Sequence, residues 1–220
     1  MIDFAERRAR LVEHIAAHGI QDQRVLRAIG AIPRELFVPH ALSQDAYVDT
    51  ALPIGAEQTI SQPYIVALMI EALALEGGES VLEVGGGSGY AAAVLAEIAG
   101  RVFTVERIAE LARRAAHNLA VAGCQNVRVR HADGTNGWPE EAPFDAILVS
   151  AAAPEVPRVL LQQLKIGGRM VVPVGADPRY QDLACIVRVG PDDFERTDIS
   201  EVRFVPLIGR ADGHCDTPSQ

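Results

Sequence analysis

The stretch Val81-Leu82-Glu83-Val84-Gly85-Gly86-Gly87-Ser88-Gly89-Tyr90 constrains the fold of this chain most. An apolar run carrying one acid breaks into glycine, which reads as a buried strand feeding a tight turn. The alanine-rich residues 90–99 have the propensity of a helix opening on that turn, so its free N–H groups would point at whatever occupies it. Strand, glycine turn and helix together make a ligand cradle. Glu83, Gly85, Gly87 and Gly89 set out an E-x-G-x-G-x-G frame. The dinucleotide frame G-x-G-x-x-G fits less well. Begun at Gly85 it meets Tyr90, and begun at Gly87 it closes on Ala92 but starts too far past the strand. The glycines alone would also fit a turn that holds no ligand.

At 220 residues the chain is one large domain or a domain with an appendage. An apolar fraction of 49% suffices for a sizeable core, and strand-like and helix-like runs alternate, which predicts an α/β fold. The net charge is −9 and Lys165 is the only lysine, so there is no basic stripe for a phosphate backbone and nucleic acid is not an expected partner. Cys124, Cys185 and Cys215 lie far apart, without C-x-x-C or nearby histidine spacing. That argues against a disulfide framework and a zinc site, and for a reducing compartment. The first eight residues mix acids and bases where a signal peptide needs an apolar run, and no stretch is apolar for long enough to span a bilayer. A soluble, cytoplasmic protein without a membrane partner is expected.

Asp3 can cap a helix whose apolar residues Leu11, Val12, Ile15 and Ala16 recur at helical spacing until Gly19, and a second helix runs over residues 22–32. Pro33 and Pro39 then interrupt the chain. Residues 1–50 thus read as a helical appendage on a main domain of residues 51–210, and the polar residues 211–220 as a disordered tail. Residues 52–64 carry too many polar and turn residues for core and read as a loop just before the cradle, leading into a helix over 64–75.

Past the cradle, residues 101–105 predict a second strand ending at Glu106, about 20 residues beyond the first glycine, where a ribose-binding acid belongs. A carboxylate there can accept from both ribose hydroxyls, although an acid at a helix start is also favoured by the dipole. A helix over 108–122 and a strand over 127–130 lead to His131-Ala132-Asp133-Gly134. Asp133 could accept from an adenine amino group, or the Asp-Gly pair could be an ordinary turn. Residues 144–149 form a fourth strand, followed by a helix to about 164 and a strand over 169–173. Two further strands over 183–189 and 199–205, joined by Pro191-Asp192-Asp193, predict an antiparallel sheet edge. Trp138 and Cys124 read as packing residues.

The E-x-G-x-G-x-G frame is the arrangement of S-adenosylmethionine methyltransferases, and other runs narrow the resemblance. They are Ala51-Leu52-Pro53-Ile54-Gly55, Gln58-Thr59-Ile60-Ser61-Gln62-Pro63-Tyr64, Val105-Glu106-Arg107-Ile108, Gly137-Trp138-Pro139, Ala142-Pro143-Phe144-Asp145-Ala146-Ile147 and Val202-Arg203-Phe204-Val205-Pro206-Leu207. Through them the chain resembles the bacterial protein-L-isoaspartate (D-aspartate) O-methyltransferases over nearly its whole length. The Thr59-Ile60-Ser61-Gln62-Pro63 run is that family's own mark. Two positions depart from it: Gly86, where threonine is usual, and Ala132, where glycine is usual. Both bear on cofactor affinity.

The resemblance implies a doubly wound, mostly parallel sheet of the class I methyltransferase type, with the helical appendage at one end and the antiparallel edge at the other. It implies S-adenosyl-L-methionine as cofactor, held by Glu83, Gly85, Gly87, Gly89, Glu106, Asp133 and Gly134, and no metal. The substrate it implies is the free α-carboxylate of L-isoaspartyl and D-aspartyl residues in damaged proteins and peptides. The sequence leaves the oligomeric state open, with a monomer favoured. Ile54, Gly55, Val205, Pro206 and Leu207 would flank that substrate and recognise its kinked main chain, and Ser61 would hold the carboxylate or the methyl donor in line. Ser61 could equally cap the helix that begins near Pro63. A carboxylate with an unperturbed pKa near ~4 is ionised at neutral pH, so methyl transfer to it requires no general base. The ester formed would close to a succinimide, and hydrolysis would return some normal aspartate. Two rival readings remain: the same chemistry on an aspartate of one dedicated precursor peptide, or a homologue that binds the cofactor without turnover.

Overall fold

The computed structural model describes residues 3–177 and 179–209. The chain opens with α1 (Phe4–Ala17), started by Asp3 accepting the Glu6 amide at 3.0 Å, and α2 (Gln23–Ala31), started by Asp22 accepting the Arg24 amide at 2.8 Å. Short acceptors at these positions satisfy amides that have no partner within the helix. Two 3-10 turns follow, then β1 (Leu52–Gly55) and β2 (Gln58–Ile60), which pair as an antiparallel hairpin. Residues 52–64 are therefore not simply a loop. The alternation of Leu52 and Ile54 inward with Pro53 and Gly55 outward is a strand pattern that the proline and polar residues obscured.

α3 (Pro63–Ala72) leads to β3 (Ser80–Val84), α4 (Tyr90–Ala96), β4 (Arg101–Glu106), α5 (Ala109–Val121), β5 (Val127–His131) and β6 (Phe144–Val149). The short α6 (Arg158–Gln162) precedes β7 (Leu164–Asp177), β8 (Tyr180–Arg188) and β9 (Phe194–Val202). The seven-stranded sheet has the order β5-β4-β3-β6-β7-β8-β9, parallel from β5 to β7 and antiparallel at β8 and β9. The expected antiparallel edge is present, but its strands begin earlier than the apolar runs indicated. β9 is charged and mostly exposed, so an edge strand with one open face left little hydrophobic signal before Val202. The helix after Pro154 is also shorter than expected, because β7 already begins at Leu164.

Every residue of β3 is buried, as befits a central parallel strand covered on both faces. On one face Val81 and Val102 pack with Leu11 and Ile15 of α1, Val25 and Ile29 of α2, and Val66 and Ile70 of α3. The first fifty residues thus share one hydrophobic cluster with the sheet. On the other face Leu82, Val84 and Phe103 pack with Trp138, Phe144, Leu160 and Met170. Trp138 meets Phe103 edge-on at 5.4 Å, the packing role expected of it. Each of these large side chains contributes roughly 1.5–3 kcal/mol on burial, enough in sum to hold β3 and its turn rigid. The residues of the expected tail, 211–220, lie outside those described. No helix among the described residues is long and apolar enough to cross a membrane.

Candidate functional site

From β3 the chain passes to β4 on one side and returns to β6 on the other. That leaves a crevice beyond the C-terminal strand ends, where ligands of such sheets bind. The glycine turn sits at its mouth. Gly85 and Gly86 both donate to Val105 O, at 2.9 and 3.1 Å, so the turn is tied to β4. Gly89 has φ +90, and a Cβ there would lie 3.3 Å from Ala115 Cα, so only glycine lets α4 start this close to α5.

Glu106 ends β4 and is buried. Its Oε2 accepts the Gly87 amide at 2.9 Å and its Oε1 the Ile108 amide at 2.7 Å. Each oxygen keeps a further lone pair for a ligand hydroxyl. Glu83 is also buried and accepts from Thr104 Oγ1 at 2.6 Å. Burial pushes its carboxyl up to about 8 and the Glu106 charge adds to the rise, while hydrogen bonds from Thr104 and Ser150 oppose it. A Cβ at Gly86 would collide with the Thr104 hydroxyl, which occupies the space a threonine would need there.

Three adjoining clefts open from this point. The first, of about 620 Å³, runs from the glycine turn past Glu106 and Gly134 to Val205, Pro206 and Leu207. The second, of about 440 Å³, is bounded by Gly85, Gly87, Glu83, Tyr90 and Ser61. The third, of about 1090 Å³, extends from Ser61 past Arg179, Tyr180 and Arg203 to Val205. A Cβ on Gly134 would lie 2.6 Å from Val84 Cγ1, so the floor of the first cleft depends on that glycine.

Four expected site residues stand back from these walls. Gly89 is a packing position. Ile54 is buried beneath the turn, its Cδ1 3.4 Å from where a Gly87 Cβ would lie, and its carbonyl accepts from Arg114 Nη1. Gly55 faces the same guanidinium. Asp133 Oδ1 accepts from Thr135 N at 3.0 Å and Thr135 Oγ1 at 2.7 Å, fixing the turn that carries Gly134.

Ser61 does not cap α3. The N-cap position falls to Gln62, whose side chain makes no capping bond. Ser61 O instead accepts from Arg34 Nη2 at 3.0 Å. Arg34 is fully buried, donates through Nε to Ala46 O at 2.8 Å, and lies 4.7 Å from the Tyr90 ring centre. Burial lowers its pKa from the ordinary arginine value, with the negative ends of Tyr90 and Asp49 opposing. Reasoning from sequence missed Arg34, Thr104 and Ser150. Only Ser150 had a usable signal, since it directly follows a strand of the crevice.

A model of the protein-L-isoaspartate(D-aspartate) O-methyltransferase family matches residues 6–212. The protein-L-isoaspartate O-methyltransferase of Rhodopseudomonas palustris is 58% identical over 195 residues, 89% of each chain. That of Brucella anthropi is 52% identical over 209 residues, 95% of this chain and 96% of its own. Among solved structures, a protein-L-isoaspartate O-methyltransferase superposes with a TM-score of 0.82 at 32% identity, over 92% of this chain and 66% of its own. A Plasmodium falciparum structure described as a protein-L-isoaspartate O-methyltransferase in complex with S-adenosyl-L-homocysteine gives 0.80 at 25% identity, over 91% and 98%. A match this long, carried by a crevice whose glycine turn, buried acids and serine loop all come from the same stretches of sequence, means that the chain belongs to the protein-L-isoaspartate (D-aspartate) O-methyltransferase family.

Proposed function

We propose that the first cleft takes the adenosyl end of the cofactor, the second its methionine end, and the third the damaged peptide. The chain is an S-adenosyl-L-methionine-dependent protein carboxyl O-methyltransferase that methylates isoaspartyl residues of proteins and peptides. In this reading Glu106 accepts the ribose hydroxyls. The supporting observation is its carboxylate, which lines the first cleft, is already fixed by the Gly87 and Ile108 amides, and keeps a further lone pair on each oxygen. Gly134 provides the floor beneath the adenine, and Asp133 fixes the turn that carries it. Gly85 and Gly87 let the methionine end approach the backbone, and Glu83 lies at the end of that cleft. Ile54 and Gly55 support the turn from below, and Val205, Pro206 and Leu207 separate cofactor from peptide.

When bound, S-adenosyl-L-methionine supplies an electrophilic methyl group. The acceptor carboxylate is already ionised, so the work of the chain is alignment and exclusion of water, which can lower the barrier by several kcal/mol. Ser61, shared by the second and third clefts, is placed to hold the carboxylate oxygen in line, and Arg34 fixes its backbone. We read the third cleft as accepting varied flanking sequences and not one dedicated precursor. We read residues 1–50 as the segment that carries Arg34 to this site, residues 51–210 as the methyltransferase domain, and the protein as a cytoplasmic monomer with neither nucleic-acid nor membrane partners. Labelled methyl transfer to a short isoaspartyl peptide, beside its normal aspartyl twin and a second unrelated isoaspartyl peptide, tests the reading. Transfer to both isoaspartyl peptides and not the twin is expected. Equal transfer to the twin would overturn it.

A further inference from the structure

Among the described residues, only Thr59 and Ser150 belong to the walls of all three clefts. Donor and acceptor enter from different clefts, so the methyl group crosses where the walls are shared. Thr59 sits on the small hairpin. Ser150 is held more firmly, because its amide donates to Val84 O at 2.8 Å and carries the β3–β6 pairing one residue past the strand. The backbone of Gly85 lies against it: a Cβ at position 85 would be in ordinary contact with Ser150 Cβ at 3.7 Å and with its carbonyl carbon at 3.6 Å.

From this placement we infer that Ser150 is a second catalytic hydroxyl beside Ser61, donating a hydrogen bond to the acceptor carboxylate. This rests on the methyltransferase reading of the three clefts. A carboxylate offers about four acceptor positions on two oxygens, so a donor on the non-attacking oxygen fixes the plane of the group and leaves the attacking lone pair free. Ser61 alone would leave that plane free to rotate. The Ser150 hydroxyl donates to Glu83, and with one donor and two acceptor positions it can turn that proton to the acceptor carboxylate while accepting from the protonated Glu83. The Glu83 carboxyl suits that arrangement, since burial keeps it largely protonated at neutral pH and hydrogen bonding with Ser150 is among the influences on its acidity.

The test compares the parent with Ser150→Ala, Ser150→Thr and Ser150→Val. It reads kcat and KM for an isoaspartyl peptide, calorimetric affinity for S-adenosyl-L-homocysteine, and melting temperature. Ser150→Ala is expected to lower kcat about 10- to 100-fold with KM and product affinity within about twofold of the parent, and Ser150→Thr to recover most of the loss. Threonine and valine share a shape and differ by the hydroxyl, so that pair decides the matter even if alanine destabilises the fold. A parent-like kcat in Ser150→Ala, a change confined to KM or to product affinity, or equal rates for the threonine and valine variants would overturn the inference. Absence of methyl transfer by the parent enzyme, with product affinity intact, would instead overturn the methyltransferase reading on which it rests.

Discussion

Asp49 accepts the Tyr64 amide at 2.8 Å, so α3 is capped by a carboxylate 15 residues upstream. Its other oxygen accepts from Gln62 Nε2 at 2.8 Å. Two bonds from one side chain hold the residues on the C-terminal side of Ser61 and leave the serine hydroxyl out of the capping. If Ser61 acts in turnover as proposed, stability and turnover rest on different residues of this loop.

Asp49→Ala should destabilise the protein by about 1–2 kcal/mol, the scale of a lost cap, read as a lower melting temperature. Ser61→Ala should leave the melting temperature close to that of the parent and lower single-turnover methyl transfer. Ser61→Asp should be slower still, because it sets a second carboxylate against the anionic acceptor. An aspartate variant as active as the parent would remove Ser61 from the chemical step.

Glu106→Ala should weaken binding of S-adenosyl-L-homocysteine by about 1.5–3 kcal/mol, the range for hydrogen bonds to charged groups. Glu106→Gln should lose part of this, since its amide NH₂ would face either the Gly87 or the Ile108 N–H, which the carboxylate now accepts. Titration calorimetry on folded variants measures both. Parent-like affinity in the alanine variant would take Glu106 out of the ribose site.

Glu83 gives stability a pH dependence of definite sign. Its folded pKa of about 8 lies above the ordinary value of 4.5, so between these the folded state binds the extra proton. Its contribution is fully present below about pH 4.5, declines by about 1.36 kcal/mol per pH unit at most, and is gone above about pH 8. Glu83→Gln keeps the neutral form at every pH. Its stability advantage over the parent should grow from pH 5 to 8 and level off above, as denaturant titrations at several pH values would show. A pH-independent difference would mean that Glu83 is ionised in the fold.

Gly86→Thr, which restores the residue usual in the family, should destabilise this chain. The incoming Cβ must displace the Thr104 hydroxyl from Glu83, and breaking that buried bond costs roughly 1–3 kcal/mol. Thr104→Ala combined with Gly86→Thr should then be less harmful than the sum of the single changes, by 1 kcal/mol or more. Additive effects in the double-mutant cycle would show that the two positions do not compete for space.

The sheet and the glycine turn were legible because they rest on local signals: the apolar run of β3, the four glycines and the acid at the end of β4. The hairpin β1–β2 was not, since two strands of four and three residues containing a proline and polar side chains give little periodicity. β9 was placed late because its outward residues are charged. Ser61 could be singled out only through the family's sequence run, and its capping role was removed by a contact with Asp49 that no local pattern encodes. Thr104 and Arg34 gave no warning. Each acts across a distance set by packing, 21 residues to Glu83 in one case and 27 to Ser61 in the other.

The sealed guanidinium of Arg34 has a consequence for how the enzyme responds to its solvent. Mobile ions cannot approach a charge with no exposed surface, so its hold on the Ser61 carbonyl is beyond the reach of Debye screening. The pair that Arg179 of the third cleft makes with Asp177, at 2.9 Å but largely exposed, has no such protection. Raising ionic strength should thus alter how charged peptides enter while leaving the serine's own position unchanged, so salt should move KM and spare kcat.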